Sequence, residues 1–550
     1  MTATAVGSVP PSHAVRGSAH LAGTATMLRL IARRERFRTP AWIVGIAGVM
    51  LAGAAAYPGL YPTAAERQAQ AAIFDSSPAM KAMAGPGHGI ENYTFGAMMT
   101  NEYLGIMVVA VALMSIFLVV RHTRAEEEDG RAELVRAHPT GSAAPLTAAL
   151  VAAAVANVVL GAIVAVGMAS LGIETIDWPG SLLFGAAFTA VGLVFAGVAA
   201  VTSQLTQYSR AASGLAGAIL GAAYLLRAVG DVMDNGLSWL SPVGWAQATA
   251  AYVDDSWAPI ALALVATVLL ALLAFRLAAR RDLGAGLRAE RQGAAYGSAF
   301  LGTPLGLAWR LQRSSLLWWA GAMVLIGAVY GSAMNVIEDY ADNEVVARMM
   351  ESLGGTTLTE AYLSMILSLL AIVVAIFAIT TALRPRREET SGRSDGVLAT
   401  GVSRVRWYAA HLVIALVGSL VVLLLAGLGL GLAAYAVTGD GGVVGQAVGA
   451  IATYTPAVWV MAGVAVVAVG WAPRATTVAW LVVAFAFFIV YLGGLLGLPD
   501  WLVNLSPFSH VPPMPAESFS GMPLAWLTLV AAVLVGVGLA GFGRRDLDTA

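Results

Sequence analysis

The chain has 550 residues, of which 58% are apolar and 11% charged, with 60 glycines, no cysteine and a net charge of −1. A soluble fold of this size needs far more polar surface to cover its core, and the missing cysteines exclude disulfides, thiolate metal sites and thiol nucleophiles. Nothing in the charge balance calls for nucleic acid.

Residues 1–20 hold Ala, Ser, Pro and His without an apolar core and read as a disordered tail, not a signal peptide. Beyond them, charge-free runs close to the ~20 residues of a membrane-crossing helix recur, without the alternation of a barrel. They predict an all-α polytopic membrane protein with about twelve spans. These fall at 40–57, 99–121, 144–171, 181–203, 211–229 and 257–279, then 314–333, 359–383, 406–437, 445–470, 474–496 and 524–543.

Ahead of the first span, "MLRLIARRERFR" alternates Leu28, Leu30 and Ile31 with Arg29, Arg33 and Arg34. That pattern fits a helix lying in the membrane interface, or equally a basic flank that enforces topology. Span two runs into "RAEEEDGRAELVR", four consecutive acids flanked by arginines at residues 124–136. The first set of six spans closes on "RRDL" at Arg280–Leu283, and residues 284–303 form a linker without an apolar run.

The landmarks then return in order. Glu126, Glu127, Gly130 and Arg131 recur as Glu388, Glu389, Gly392 and Arg393 at an offset of 262, and Arg210 recurs as Arg474 at 264. "LSP" recurs from Leu240 to Leu505, and "RRDL" recurs at Arg544–Leu547. The chain therefore reads as two parallel repeats of six helices, residues 21–283 and 304–550. "LGLAWRLQR" before span seven is the second copy of the basic amphipathic segment, and Gly45 aligns with Gly321 at 276. About fourteen further residues must then sit in the first half before its knot, in the loop from about Pro58 to Ala97.

With both termini inside, the cytoplasmic segments carry 27 basic and 13 acidic residues, against 4 and 19 on the other face. The positive-inside rule thus puts both charged knots in the cytoplasm. On a helix, Glu127–Arg131 and Glu389–Arg393 stand four residues apart with the acid first, the favourable order for pairing. Gly130 and Gly392 interrupt these segments, each at about 1 kcal/mol of helix propensity. A short, broken, charged helix is stable only when docked. Its return in the second half favours a pair of handles for a cytoplasmic partner over a solvated spacer.

Two six-span halves, an amphipathic segment before each first span and an E-E-x-x-G-R loop between spans two and three resemble the ABC-2 type permeases. The closest likeness is to the fused twelve-span, type V exporter-like group of polyketide-antibiotic and multidrug exporters of high-G+C bacteria. The resemblance covers the chain from about Leu21 onward. It implies a multi-pass protein of the bacterial plasma membrane whose loop after span two is a coupling helix seated in an ATPase subunit. That role falls on Glu126, Glu127, Glu128, Gly130, Arg131 and Glu133, and on Glu388, Glu389, Gly392, Arg393 and Asp395. After the glycine the copies diverge, "AELVRAHP" against "SDGVLATG", which implies two unequal grips.

A P-loop needs a lysine at the phosphates, and the single lysine, Lys81, lies in a loop on the opposite face. ATP and Mg²⁺ are therefore expected in a separate polypeptide, in two copies per chain, and no cofactor or metal in this one. A competing reading is an ion-coupled secondary multidrug transporter, which needs ionisable groups inside the membrane. Glu102, Glu360, Arg227, Asp231, Asp234 and His411 are the candidates, none at mid-membrane, and Arg227–Asp231 has the spacing of a structural clamp. No H-E-x-x-H, G-x-S-x-G or paired intramembrane carboxylates point to an enzyme. The resemblance further implies export of hydrophobic compounds along spans two, five, eight and eleven. These spans offer Met107, Met114 and Phe117; Tyr224; Met365 and Phe377; and Phe485, Phe487, Phe488 and Tyr491, against a plain packing or lipid-facing role for each.

Overall fold

An apolar run in hydrocarbon has no water to pair its N–H and C=O groups, so it must close its own hydrogen bonds as a helix. The computed structural model describes residues 20–76, 78–137, 139–282, 286, 296–334, 357–492 and 499–546. Among these, eleven helices are long and apolar enough to cross a membrane. A shorter apolar helix, Val478–Leu492, stands where span eleven was expected. The 1–19 tail, most of the linker and most of the loop before span eight lie outside the described residues.

The chain divides into two units, Met1–Gln292 and Gly293–Ala550, each with its own apolar core. In the first, α1 (Thr24–Arg34) is amphipathic and separate from the first span, α2 (Arg38–Leu60). Span two enters through Phe95–Met98 and a π-helical turn, Met99–Leu104, and continues as α3 (Gly105–His122). The knot forms α4 (Arg124–Glu128) and α5 (Arg131–Arg136). Four spans follow: α6 (Ala144–Ser170), α7 (Trp178–Leu205), α8 (Ser209–Val232) and α9 (Ala258–Ala278).

α7 is the post around which this unit is built, packed by α6, α3, α9 and α8. Apolar tails of lipid match leucine, so close approach and polar glue decide helix packing here. At Gly161 of α6 a Cβ would strike the Gly185 carbonyl of α7, so glycine sets that crossing. Asn157 of α6 donates to Ser115 of α3 at 2.9 Å, and Thr189 of α7 donates to the Asn157 carbonyl at 3.1 Å. At the end away from the knot, the long first loop folds over α8. Buried Arg227 donates to the Ala82 carbonyl at 2.7 Å and pairs with Asp231 at 3.3 Å, the clamp its spacing predicts.

The second unit holds α10 (Pro304–Ser332), α11 (Leu358–Ala382), knot helices α12 (Arg384–Thr390) and α13 (Arg393–Leu398), and α14 (Arg404–Thr438). Then come α15 (Gly442–Ala452), α16 (Thr455–Trp471), α17 (Val478–Leu492) and α18 (Gly521–Arg544). Here α16 takes the central place and lies against α18, where a Cβ on Gly470 would meet the Gly538 carbonyl.

The units differ at their first helix. "LGLAWRLQR" does not form a separate interfacial helix as expected; it is the opening of α10. Thr303 caps that helix by accepting from Gly306 N–H at 3.0 Å with Pro304 at the first position, and nothing matches the break at residues 35–37 that frees α1. Span ten also begins as two pieces, α15 and α16, joined by a turn at Thr453–Tyr454 ahead of Pro456.

Candidate functional site

The densest charge lies where span two of each unit ends. In the first unit Thr123 leaves helical geometry (φ −121°, ψ −85°), α4 forms, and Gly130 turns left-handed at φ 73° before α5. Gly392 does the same at φ 68° between α12 and α13. A Cβ at either glycine would point into open space, so the sign of φ demands glycine, not crowding.

That reversal overturns the expected i,i+4 pairs, because residues on either side of a left-handed position no longer share a helix face. Arg131 pairs with Glu126 at 3.1 Å and with Asp129, and Arg393 lies 3.8 Å from Glu388. The second glutamate of each knot points inward instead.

Its partner is the arginine that follows the last span. In the first unit Arg281 donates from both terminal nitrogens to the two Glu127 oxygens, at 2.7 and 2.5 Å, and from Nε to Gln204 Oε1 at 2.6 Å. Wholly buried Arg124 donates to Glu127 at 2.6 Å and, through Nε, to the Thr206 carbonyl at 2.6 Å. In the second unit Arg545 spans the two Glu389 oxygens at 2.7 and 2.6 Å and donates through Nε to the Val469 carbonyl at 3.1 Å, with Arg386 3.3 Å from Glu389. Bidentate arginine–carboxylate pairs fix direction as well as distance. Thr206 and Val469 lie at the C-terminal ends of α7 and α16, where unpaired carbonyls favour a cation. Each latch thus joins the knot to the last span and to the central post of its own unit.

The remaining knot residues differ between the copies. Glu126 pairs with Arg34 of α1 at 2.7 Å. Glu128 accepts from the Ser209 N–H at 2.8 Å and its hydroxyl at 2.6 Å, at the N-terminus of α8, where a carboxylate suits the helix dipole. Their counterparts stay within the second knot: Glu388 pairs with Arg384 at 3.2 Å, and the Thr390 hydroxyl donates to the Arg386 carbonyl at 3.1 Å. Facing outward are Asp129, Arg131 and Glu133 on the first knot and Arg393 and Asp395 on the second.

Behind the first knot, Glu35 accepts from Arg121 at 2.6 Å and lies 2.9 Å from His122 Nε2, which holds the α1–α2 break against the end of span two. Burial would raise the Glu35 carboxyl, but the hydrogen bonds and charge of Arg121 and His122 win and hold it below the usual carboxylate range.

Of the other ionisable candidates, Asp234 is exposed, and Glu102, Glu360 and His411 are engaged locally. Glu102, in the π-helical turn, accepts from the hydroxyls of Tyr57 and Tyr93. Glu360 caps its own helix, accepting from Thr357 N–H at 3.2 Å. His411 lies 2.8 Å from Gln312 Nε2. Within their own units the apolar pathway candidates differ in exposure. Met114 and Phe377 are buried in the cores of their own units, while Phe117, Met365, Phe487 and Phe488 are exposed on their helices and Met107 and Phe485 half-buried. The Tyr224 hydroxyl is spent on the Met83 carbonyl, and the Tyr491 side chain lies outside the description.

Sequence reasoning missed Arg281 and Arg545 as site residues. Their signal was present: "RRDL" repeats at almost the offset of the knot, and a repeated arginine needs a repeated acid.

Comparison with known proteins adds two findings. The family described as "Multidrug efflux system permease Rv1217c, C-terminal domain" matches residues 25–277 and 301–543. The chain is also 41% identical over 537 residues, 97% of its own length and 96% of the other's, to the multidrug efflux system permease protein Rv1217c of Mycobacterium tuberculosis.

Proposed function

The chain belongs to this family of multidrug efflux system permeases, and from that premise we propose that it is the membrane subunit of an ATP-driven exporter of hydrophobic compounds. Each charged knot docks one ATPase subunit, two per chain, and ATP and Mg²⁺ are held by those partners. The observation that carries this reading is the two-faced knot: charges exposed on one side, and on the other a glutamate clamped by the arginine after the last span. A push on the outer face reaches the ends of α9 and α7, or of α18 and α16, through bidentate ion pairs. Rigid contact of this kind lets closure of an outside motor bias two conformations of the spans.

The basic excess on the knot face, 27 residues against 4, supports placing both knots and both termini in the cytoplasm. Methionine and aromatic side chains exposed along the spans support an apolar cargo.

The test uses only outward-facing residues, so that folding is spared. Asp129→Arg with Glu133→Arg, and Arg393→Glu with Asp395→Arg, should abolish drug export and co-purification of the nucleotide-hydrolysing subunit without lowering the melting temperature, since exposed ion pairs contribute at most about 1 kcal/mol. Unchanged export in the quadruple variant would refute the docking role. Export by vesicles energised with a proton gradient and lacking nucleotide would refute the ATP-driven reading.

A further inference from the structure

The first unit carries a second feature, independent of the knots and of the function proposed for them. A groove of about 550 Å³ runs between α2 and α3, floored and walled by Trp42, Gly45, Val49, Met107 and Ala110. Its volume is within the ~300–1,000 Å³ range of ligand sites. Its walls are apolar except at the end nearest the knot, where Arg38 and Arg121 close it.

The two arginines are only partly neutralised by the fold, which pairs Arg121 and not Arg38. Arg38 is exposed and makes no side-chain hydrogen bond or ion pair among the described residues. Arg121 spends one nitrogen on Glu35, which it shares with His122. Arg33 and Arg36 stand exposed close by in sequence, so the segment that leads into α2 is basic. Gly45 leaves open space where a Cβ would stand, which deepens the groove beside the half-buried Trp42.

We propose that this groove binds an anionic phospholipid, its phosphate on Arg38 and Arg121 and one acyl chain along the apolar floor. A free anion would have no use for the apolar length, and an uncharged hydrophobic compound none for the paired arginines. Basic pockets between spans are suited to anionic headgroups, and a tryptophan at the interface anchors the level of the headgroup. The second unit does not keep the register: at the repeat offsets of 276 and 262, Arg38 becomes Ser314 and Arg121 becomes Leu383, and the neighbouring Arg313 and Arg384 stand one residue, about 100° of helix turn, away. One site per chain follows.

Native mass spectrometry of the full chain in detergent, titrated with phosphatidylglycerol or with phosphatidylcholine of the same acyl chains, tests this. Phosphatidylglycerol should bind first and with a stoichiometry of one. Arg38→Gln should weaken it about fivefold, the effect of one arginine at a membrane surface. Gly45→Leu should remove the bound lipid by filling the groove into open space, with the fold preserved. Arg406→Gln, at an exposed arginine of the second unit, should change nothing. Equal binding of phosphatidylcholine, an equal loss in Arg406→Gln, or undiminished binding in Gly45→Leu would each overturn the proposal. So would displacement of the lipid by millimolar inorganic phosphate, because the site would then be an anion pocket without a role for the groove.

Discussion

Replacing Arg545 by glutamine tests whether the latches hold the permease together. Glu389 has 1% of its side chain exposed and takes two hydrogen bonds of 2.7 and 2.6 Å from Arg545. Removing one partner of a buried ion pair costs about 3–5 kcal/mol, because the remaining charge is left without full compensation. Arg386, at 3.3 Å, compensates in part, so the lower half of that range applies. At about 2–4 °C per kcal/mol for a unit of this size, the melting temperature should fall by roughly 6–16 °C. Arg281→Gln should cost less, because Glu127 is 12% exposed and keeps Arg124 at 2.6 Å. The assay is thermal melting of the purified permease, with Arg387→Gln as an exposed control in the same knot. Removing both charges, Arg545→Met with Glu389→Met, should recover part of the loss, since the apolar pair leaves no carboxylate orphaned and only Arg386 loses this ion-pair partner. A fall in Arg545→Gln no larger than in the control, or additive losses in the double variant, would refute the latch.

Two further outcomes follow from the same region. Gly130→Ala and Gly392→Ala should each lower stability by about 1–2 kcal/mol, the cost of a left-handed L-residue, while Asn at either position should cost less; comparative melting decides. Glu35 has a lowered carboxyl pKa, so it stabilises the fold in full above the ordinary carboxylate range near 4, and that contribution is lost as pH falls through its lower value. Glu35→Gln should therefore melt below the parent near pH 7 and approach it in acid, and a constant gap across that range would refute the assignment.

Much of the fold was legible because hydrocarbon leaves an apolar run one solution. Eleven expected spans appear as long apolar helices, and the Arg227–Asp231 clamp formed as its spacing required. The knots were visible as charge but not as geometry. Spacing alone paired Glu127 with Arg131, since a helix wheel carries no information about the sign of φ at Gly130. A partner more than 150 residues away, Arg281 for Glu127 and Arg545 for Glu389, is set by which helix ends meet, and the local sequence does not encode that. The fate of "LGLAWRLQR" turned on one capping threonine and the proline after it, a small local energy that periodicity does not register.

The two knots are alike inside and unlike outside, and that contrast bears on how a duplicated permease can work. The inward glutamate, its arginine and the helix-end carbonyl recur in both units, so this part answers a need common to both: fixing the knot to the last span. The first knot is further tied to α1 through Arg34 and to α8 through Ser209, whereas among the described residues Glu388 and Thr390 find partners only within their own knot. Displacing the first knot therefore strains α1 and span five directly; among the described residues the second has its latch and the packing of Val397 and Leu398, without such polar ties to other helices. If both knots serve one motor, the first half is the stiffer lever. That difference comes from two side chains, Arg34 and Glu128, and not from the fold the halves share.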